Sequence, residues 1–282
     1  MATSPTCGTT CEDALLIGGL DHVAIAVRDF DAGVDGYRRL LGREPELEPR
    51  DGADRAWFHL ANMALEVIAP SGDGPAGDRV RARLDDAGEG LWIAAFQVDD
   101  VADAARLLSR RGLDVETVGS VARVRAAGLD FVLTPGRIGA RPSPVIGAED
   151  AAVPALDHIV VHTSNPDRAL GLYGARFGLD LRLDRANEQW GARQLFFRCG
   201  GTLFEVGASL KAPVTDAPDR FGGLAWRVTD PNAAQARIAA AGFDVSEVRA
   251  GRKTGTKVFT VRDAPGGAPT LMLMPSPELE AA

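Results

Sequence analysis

One segment of the chain is written twice. Leu20-Asp21-His22-Val23 returns as Leu156-Asp157-His158-Ile159, and the same offset of 136 residues carries Tyr37 onto Tyr173 and Gly42 onto Gly178 without a gap. Those positions hold both tyrosines of the chain and two of its four histidines. Farther on, Ala64-Leu65-Glu66-Val67 is echoed by Leu203-Phe204-Glu205-Val206, with the glutamates 44 and 47 residues after the paired histidines. Each copy therefore reads as a strand with a histidine, a helix with a tyrosine and a late strand with a glutamate. A duplicated unit buries its apolar face against its neighbours, so a repeat limits the fold more than composition does.

A second repeat interleaves with the first. Ala95-Phe96-Gln97-Val98 matches Ala225-Trp226-Arg227-Val228, an offset of 130 that also places Gly112-Leu113-Asp114-Val115 on Gly242-Phe243-Asp244-Val245. The chain thus holds four units in alternating order. Helix starts are marked by Asp29 or Asp31, Asp99 or Asp100, Asn165 and Asp230, whose side-chain oxygens can accept a first-turn N–H. Pro166 and Pro231 follow at first helical positions, where a missing N–H costs nothing. Gly42, Gly112, Gly178 and Gly242 stand where the helices should stop. Short alternating runs predict strands at Ala56–Leu60, Met63–Ile68, Leu113–Val118, Leu195–Cys199, Thr202–Val206, Val258–Val261 and Thr270–Met274. One unit reads β-α-β-β-β, and four of them give an α+β chain of two domains, 18–141 and 154–276, joined near Pro142–Pro154.

With 282 residues, 45% of them hydrophobic, each half can bury its own core. The net charge of -8 argues against nucleic acid or an anionic membrane as the main partner. No apolar run reaches the roughly 18–20 residues of a membrane span. Met1–Leu15 lacks a basic segment followed by an apolar one, so no signal peptide is expected. Cys7, Cys11 and Cys199 form neither a zinc pattern nor a disulfide framework, and a cytoplasmic location is the expectation. Monomer and homodimer both stay open.

The order of units, the Leu-Asp-His openings and the late Leu-Glu-Val resemble the vicinal oxygen chelate superfamily, which includes glyoxalase I, methylmalonyl-CoA epimerase, fosfomycin-resistance proteins and extradiol dioxygenases. The run Gly88-Glu89-Gly90-Leu91-Trp92-Ile93-Ala94-Ala95-Phe96-Gln97-Val98-Asp99-Asp100 is similar to the epimerases. The resemblance implies two glyoxalase-like domains with half-barrel sheets, each built from two units. It also implies a divalent metal held by histidines of first strands and carboxylates of last strands. N and O donors of this kind suit Zn, Ni, Co, Mn or Fe(II), and open positions let a substrate chelate through adjacent oxygens. His22, Glu66, His158 and Glu205 are the implied ligands, with Glu66 or Glu205 also available to move a proton.

The second and fourth units depart from the pattern. Their ligand histidines fall at Ile93 and Gly223, and their carboxylates at Phe131 or Asp130 and at or beside Met272. An extradiol iron site is therefore not expected, because only His158 of its three ligands is present. The four surviving groups either converge on one site or form a His–Glu half-site in each domain. His59 and Asp130 are candidates for a third ligand on the N-terminal side. His162 lies roughly 13 Å along the strand from His158, too far to share its metal but able to meet a substrate. Trp190 is a candidate wall for that substrate. Arg252 and Lys253, in the basic run Arg249–Lys257, are candidates for an anion clamp. The small-molecule site is expected in the C-terminal half, since Trp92-Ile93 would fill the N-terminal cavity where Gly222-Gly223 would leave the other open. The implied chemistry is that of a lyase, isomerase or epimerase acting on a small oxygenated metabolite; the alternative is a binder that sequesters its ligand without turnover.

Overall fold

A computed structural model describes residues 16–136 and 141–276; Cys7 and Cys11 lie outside the described residues. Two eight-stranded sheets make up the protein. The first contains β1 (Gly19–Ala26), β2 (Glu46–Leu47), β3 (Ala53–His59), β4 (Ala64–Pro70), β5 (Gly90–Gln97), β6 (Asp114–Val118), β7 (Val121–Ala126) and β8 (Leu129–Thr134), in the order β2-β3-β4-β1-β5-β8-β7-β6. The second repeats that order with β9 (Ala155–His162), β10 (Asp180–Asn187), β11 (Ala192–Cys199), β12 (Thr202–Ser209), β13 (Arg220–Arg227), β14 (Arg249–Ala250), β15 (Lys257–Val261) and β16 (Thr270–Met274). The first and second units thus share one sheet, and the third and fourth share the other. No helix is long and apolar enough to cross a membrane among the described residues.

The expected caps are present. Asp29 accepts the Ala32 N–H ahead of α1 (Phe30–Leu41), and Gly42 ends that helix in the left-handed conformation. Asp100 likewise caps α3 (Val101–Arg110), and Asp230 caps α5 (Pro231–Ala240). Asn165 caps α4 (Pro166–Ala169), which runs on as a π-helical stretch, Leu170–Arg176.

A helix not expected from the repeats, α2 (Pro75–Ala87), crosses the first sheet. Its Ala76, Val80 and Leu84 recur every four residues and pack on Ala24, Ala26, Ile68, Trp92 and Ile93. The corresponding stretch of the second half, 210–219, holds Pro213 and Pro218 and forms no helix. Its Leu210 and Val214 are exposed.

Helices of one half pack on the other. Tyr173 of the π stretch and Phe177 just after it meet Phe131, and Phe177 also meets Phe96, at ring separations of 5.0 to 6.3 Å. On the opposite side, the Tyr37 hydroxyl donates to the Pro265 carbonyl, and Arg237 of α5 donates to the Arg39, Leu40 and Ala151 carbonyls. These contacts draw both halves into a single apolar core. The segment after residue 141 is strapped down as well: Arg43 donates to the Ser143 and Val153 carbonyls, and the Ser143 N–H to the His59 carbonyl.

The fourth unit does not leave open the space expected at Gly222-Gly223. A side chain on Gly222 would begin 2.5 Å from His162 Nε2, so the imidazole fills that place. Gly223 sits in a bulge of β13 at φ +140°, and a Cβ there would stand 2.3 Å from the Pro269 carbonyl oxygen. A large residue at 223 would therefore distort the strand rather than simply block a cavity. Gly223→Ala should cost more stability in urea unfolding than Gly242→Ala. The latter has φ +94° but open space around it, for a cost of about 1–2 kcal/mol. Equal losses would show that the Pro269 contact relaxes freely.

Candidate functional site: two unequal His–Glu pairs

In each half, the first strand of the odd unit lies parallel to the last strand of the same unit. Val23 pairs with Leu65 and Ala24 with Glu66; Ile159 pairs with Phe204 and Val160 with Glu205. This register sets His22 beside Glu66 and His158 beside Glu205 on one face. The arrangement is thus a pair in each half. Among the described residues, no three His, Cys, Asp or Glu side chains are grouped closely enough to hold a metal. The candidate third ligands are engaged elsewhere: His59 Nε2 lies 3.2 Å from Glu46, and Asp130 accepts the Trp92 indole N–H at 2.9 Å.

The two pairs differ in their counter-charges. His22 Nε2 stands 3.8 Å from Glu66 Oε2, while Arg55 reaches the other carboxylate oxygen at 3.1 Å. Trp57 stands edge-on to the His22 ring at 5.1 Å. Glu66 is buried, and a fixed guanidinium already answers its charge.

In the second half His158 Nε2 is 3.2 Å from Glu205 Oε2. The position of Arg55, eleven residues ahead of the glutamate, is taken by Gln194. Its amide donates to Glu205 Oε1 at 2.6 Å, and Gln194 in turn accepts from Arg185. Glu205 therefore faces a neutral amide where Glu66 faces a guanidinium. His158 Nδ1 is 2.8 Å from Asp157, which also accepts from Arg227 at 3.0 Å. Burial raises the Asp157 carboxyl, but the bonds and charges of His158 and Arg227 outweigh it and hold it below the usual carboxylate range. An ionised Asp157 accepts a hydrogen bond from Nδ1–H, which in the neutral ring leaves the Nε2 lone pair facing Glu205. Two lone pairs 3.2 Å apart call for a positive charge, either a second proton on the ring or a cation between them.

The remaining expected residues surround this pair unequally. His162 lies on the same strand face, its pKa held below the ordinary imidazole value by burial and by Arg220, against the opposing pull of Glu205. The ring is neutral at pH 7. Trp190, at the turn between β10 and β11, is stacked between the guanidiniums of Arg185 and Arg252, each 4.9 Å from its centroid. Arg252 follows β14, at the other edge of the sheet, so this sandwich joins the two edges of the curved sheet across its mouth. Lys253 is exposed and contributes its backbone carbonyl to a turn with Thr256. Asp157 was visible in the repeat but not as an orienting residue. Gln194 and Arg185 carried no motif; only the strand register reveals them.

Trp92 and Ile93 are buried beneath α2. A cavity of about 920 Å³ lies between α2, β5 and β8, and both residues line it. None of His22, Glu66, His158 or Glu205 does.

Comparisons with known proteins agree with this architecture. The family profile of the Glyoxalase/Bleomycin resistance protein/Dioxygenase superfamily matches residues 21–141 and 157–260. An ethylmalonyl-CoA/methylmalonyl-CoA epimerase of Cereibacter sphaeroides is 33% identical over 113 residues, which span 36% of this chain and 75% of that protein. Among solved structures, a mutant of 4-hydroxymandelate synthase from Streptomyces coelicolor superposes with a TM-score of 0.73 at 14% identity, covering 92% of both chains. A Mn(II)-bound glyoxalase from Novosphingobium aromaticivorans superposes with a TM-score of 0.64 at 17% identity, covering 92% of this chain and 82% of its own. The likeness of these two structures is one of fold. Two interleaved repeats, two matching sheets and a profile that spans most of both halves lead to one conclusion: the chain belongs to the glyoxalase/bleomycin resistance protein/dioxygenase superfamily, the vicinal oxygen chelate proteins.

Proposed function

We propose that the C-terminal half-barrel is a metal-assisted lyase, isomerase or epimerase centre for a small oxygenated metabolite. The observation that carries this reading is the His158–Glu205 pair, whose facing lone pairs need a cation and whose neighbour is Gln194 rather than an arginine. His158 Nε2 and Glu205 Oε2 would hold a divalent ion such as Zn, Ni, Co, Mn or Fe(II). When bound, such an ion polarises a carbonyl or diol of the substrate and acidifies the neighbouring C–H.

The protein's own groups do the rest. Asp157 fixes the tautomer and direction of His158. Gln194 holds Glu205 Oε1, so the carboxylate meets the substrate in one orientation, and Glu205 accepts the proton. Neutral His162 hydrogen-bonds the far end of the substrate. Trp190, pinned by Arg185 and Arg252, bounds the mouth, and the two guanidiniums favour an anionic substrate.

A second reading, a ligand-binding protein without turnover, is favoured by the lack of a third His, Cys, Asp or Glu donor beside either pair among the described residues. Deuterium uptake separates the two. Small 2-oxo and 2-hydroxy acids incubated with the protein in D2O should lose a C–H signal, and Glu205→Gln should slow this by about a hundredfold or more. A ligand that binds without any exchange would support the second reading instead.

Metal content tests the ligand assignment. Protein prepared with Mn, Fe, Co, Ni and Zn available should carry one ion per chain. His158→Ala and Gln194→Arg should both remove it, the latter by supplying the guanidinium that already answers Glu66 in the first half. His22→Ala should leave the content unchanged. A protein free of stoichiometric metal under those conditions would end the enzymatic reading.

The electrostatic part is checked by NMR titration. His162 should titrate below the ordinary imidazole value near 6.5. Arg220→Gln should move it upward, because one of the two causes holding it down is removed.

A further inference from the structure

Tyr37 and Tyr173 fill matching places in the repeat, yet their hydroxyls fare differently. Tyr37 donates to the Pro265 carbonyl at 3.1 Å. Tyr173 is fully buried, and its hydroxyl has no hydrogen bond among the described residues. The segment from Leu156 to Gly178 has the same length as that from Leu20 to Gly42. Even so, Leu170–Arg176 winds as a π-helix where its counterpart in α1 is regular, and the Phe177 N–H donates to the Leu172 carbonyl. Short π stretches of this kind occur mostly at functional sites.

Two more orphaned atoms belong to the charges around this phenol. Arg168 of α4 bonds Asp219, just ahead of β13, through Nη2 and Oδ1 at 2.6 Å. Contact through one oxygen leaves Arg168 Nε and Asp219 Oδ2, the atoms next to that bond, buried and without a partner among the described residues. The rest of the guanidinium is engaged: Nη2 also donates to the Ala217 carbonyl, and Nη1 faces Asp216 at 4.0 Å. Burial pushes the Tyr173 phenol far up, with the charge of Asp219 adding to the effect and that of Arg168 opposing it, so both charges act on the hydroxyl. Buried polar atoms left unmet are costly, and native proteins meet them with internal water.

We infer that Tyr173 Oη, Arg168 Nε and Asp219 Oδ2 form a binding site for one internal water molecule at the seam of the two halves. Valence decides the ligand. Arg168 Nε–H can only donate, the Asp219 carboxylate can only accept, and the Tyr173 hydroxyl can do either. An ammonium ion has no lone pair for Nε–H, and chloride has no hydrogen for Oδ2. Water accepts from Arg168 and Tyr173 and donates to Asp219, the three bonds typical of a buried water. The site takes in both halves: the Asp219 N–H donates to the Ala127 carbonyl of the β7–β8 turn, and Tyr173 sets its ring against Phe131. Arg168 lines a cavity of about 440 Å³ beside that turn, and Asp219 lines the one of about 920 Å³, which gives water a route in. The bridged pair holds the start of β13, where Arg220 stands opposite His162.

A crystal structure of the full-length protein that shows ordered solvent should place one water about 3 Å from all three atoms. In solution, the Tyr173 hydroxyl proton should show an NMR cross-peak with a long-lived water, absent in Tyr173→Phe. Melting temperature supplies the sign. Removal of an unmet hydroxyl would leave Tyr173→Phe as stable as the parent or more so. Removal of a hydroxyl bonded to a bound water should instead lower the melting temperature by about 2 °C or more. Tyr37→Phe, which loses a bond to a carbonyl, should fall by a similar amount and sets the scale. A side-on Arg168–Asp219 pair that uses both oxygens, with no water beside Tyr173, would overturn the inference. So would an ion at that point, or a Tyr173→Phe protein that melts with or above its parent.

Discussion

The parallel pairing of β1 with β4 and of β9 with β12 is the constraint on which the rest of the protein depends. A parallel pair needs a crossover, and here α1 or the α4–π segment, with two more strands, supplies it. That pairing brings residues some 45 positions apart side by side at the centre of a sheet. It places an imidazole and a carboxylate on the same face, in fixed register, without help from a loop. Moving either strand by one residue would turn its member of the pair to the other face of the sheet. The strand that follows, β5 or β13, pairs antiparallel on the other side of the first strand and completes the sheet. The duplicated histidine and glutamate thus fall out of the topology, whether or not both copies are used.

Most of the fold is legible in the sequence because its punctuation is local. Asp29, Asp100, Asn165 and Asp230 cap helices where their side chains meet first-turn N–H groups, and Gly42, Gly112, Gly178 and Gly242 take the left-handed conformation just past helix ends. The strand runs emerge with boundaries a few residues longer than their alternation suggested, as in β3 and β12. What escaped was non-local. Helix α2 lies outside the repeats, begins in a glycine-rich turn and shows only a thin apolar stripe of Ala76, Val80 and Leu84, so no periodicity announced it. Gly222 and Gly223 looked like empty space, yet neighbours fill it: His162 from the adjacent strand and the Pro269 carbonyl. A glycine tells where a side chain is missing, not whether something else has moved in.

The site was legible in its pairs and illegible in its neighbours. His158 and Glu205 could be matched from spacing alone. The difference between the halves rests on Arg55 and Gln194, which the repeat alignment does not mark because neither belongs to a motif. Their role comes from facing the glutamate across an antiparallel ladder, where Trp57 pairs with Glu66 and Phe196 with Glu205. At such a position an arginine neutralises the carboxylate and a glutamine merely orients it. The first partner makes an ion pair whose charge is already satisfied; the second leaves a carboxylate able to answer a proton or a cation.

The same backbone thus serves two ends according to what covers it. In the first half α2 lies over Ala24, Ala26 and Ile68, the small and branched residues that continue the face of His22 and Glu66. That cover closes one side of the half-barrel and displaces the free volume toward β5 and β8, where Trp92 and Arg79 line it. In the second half the prolines of the 210–219 stretch forbid an equivalent helix, and the sheet face around Glu205 stays open. Its mouth is spanned instead by Trp190 between Arg185 and Arg252, an exposed stack worth about 0.5–1 kcal/mol per cation. A helix packed on apolar side chains is a permanent lid. A cation–π contact of that size opens at thermal cost, and Arg185 ties it to Glu205 through Gln194. The half whose glutamate faces an amide rather than a guanidinium is therefore also the half with no helix over its sheet face.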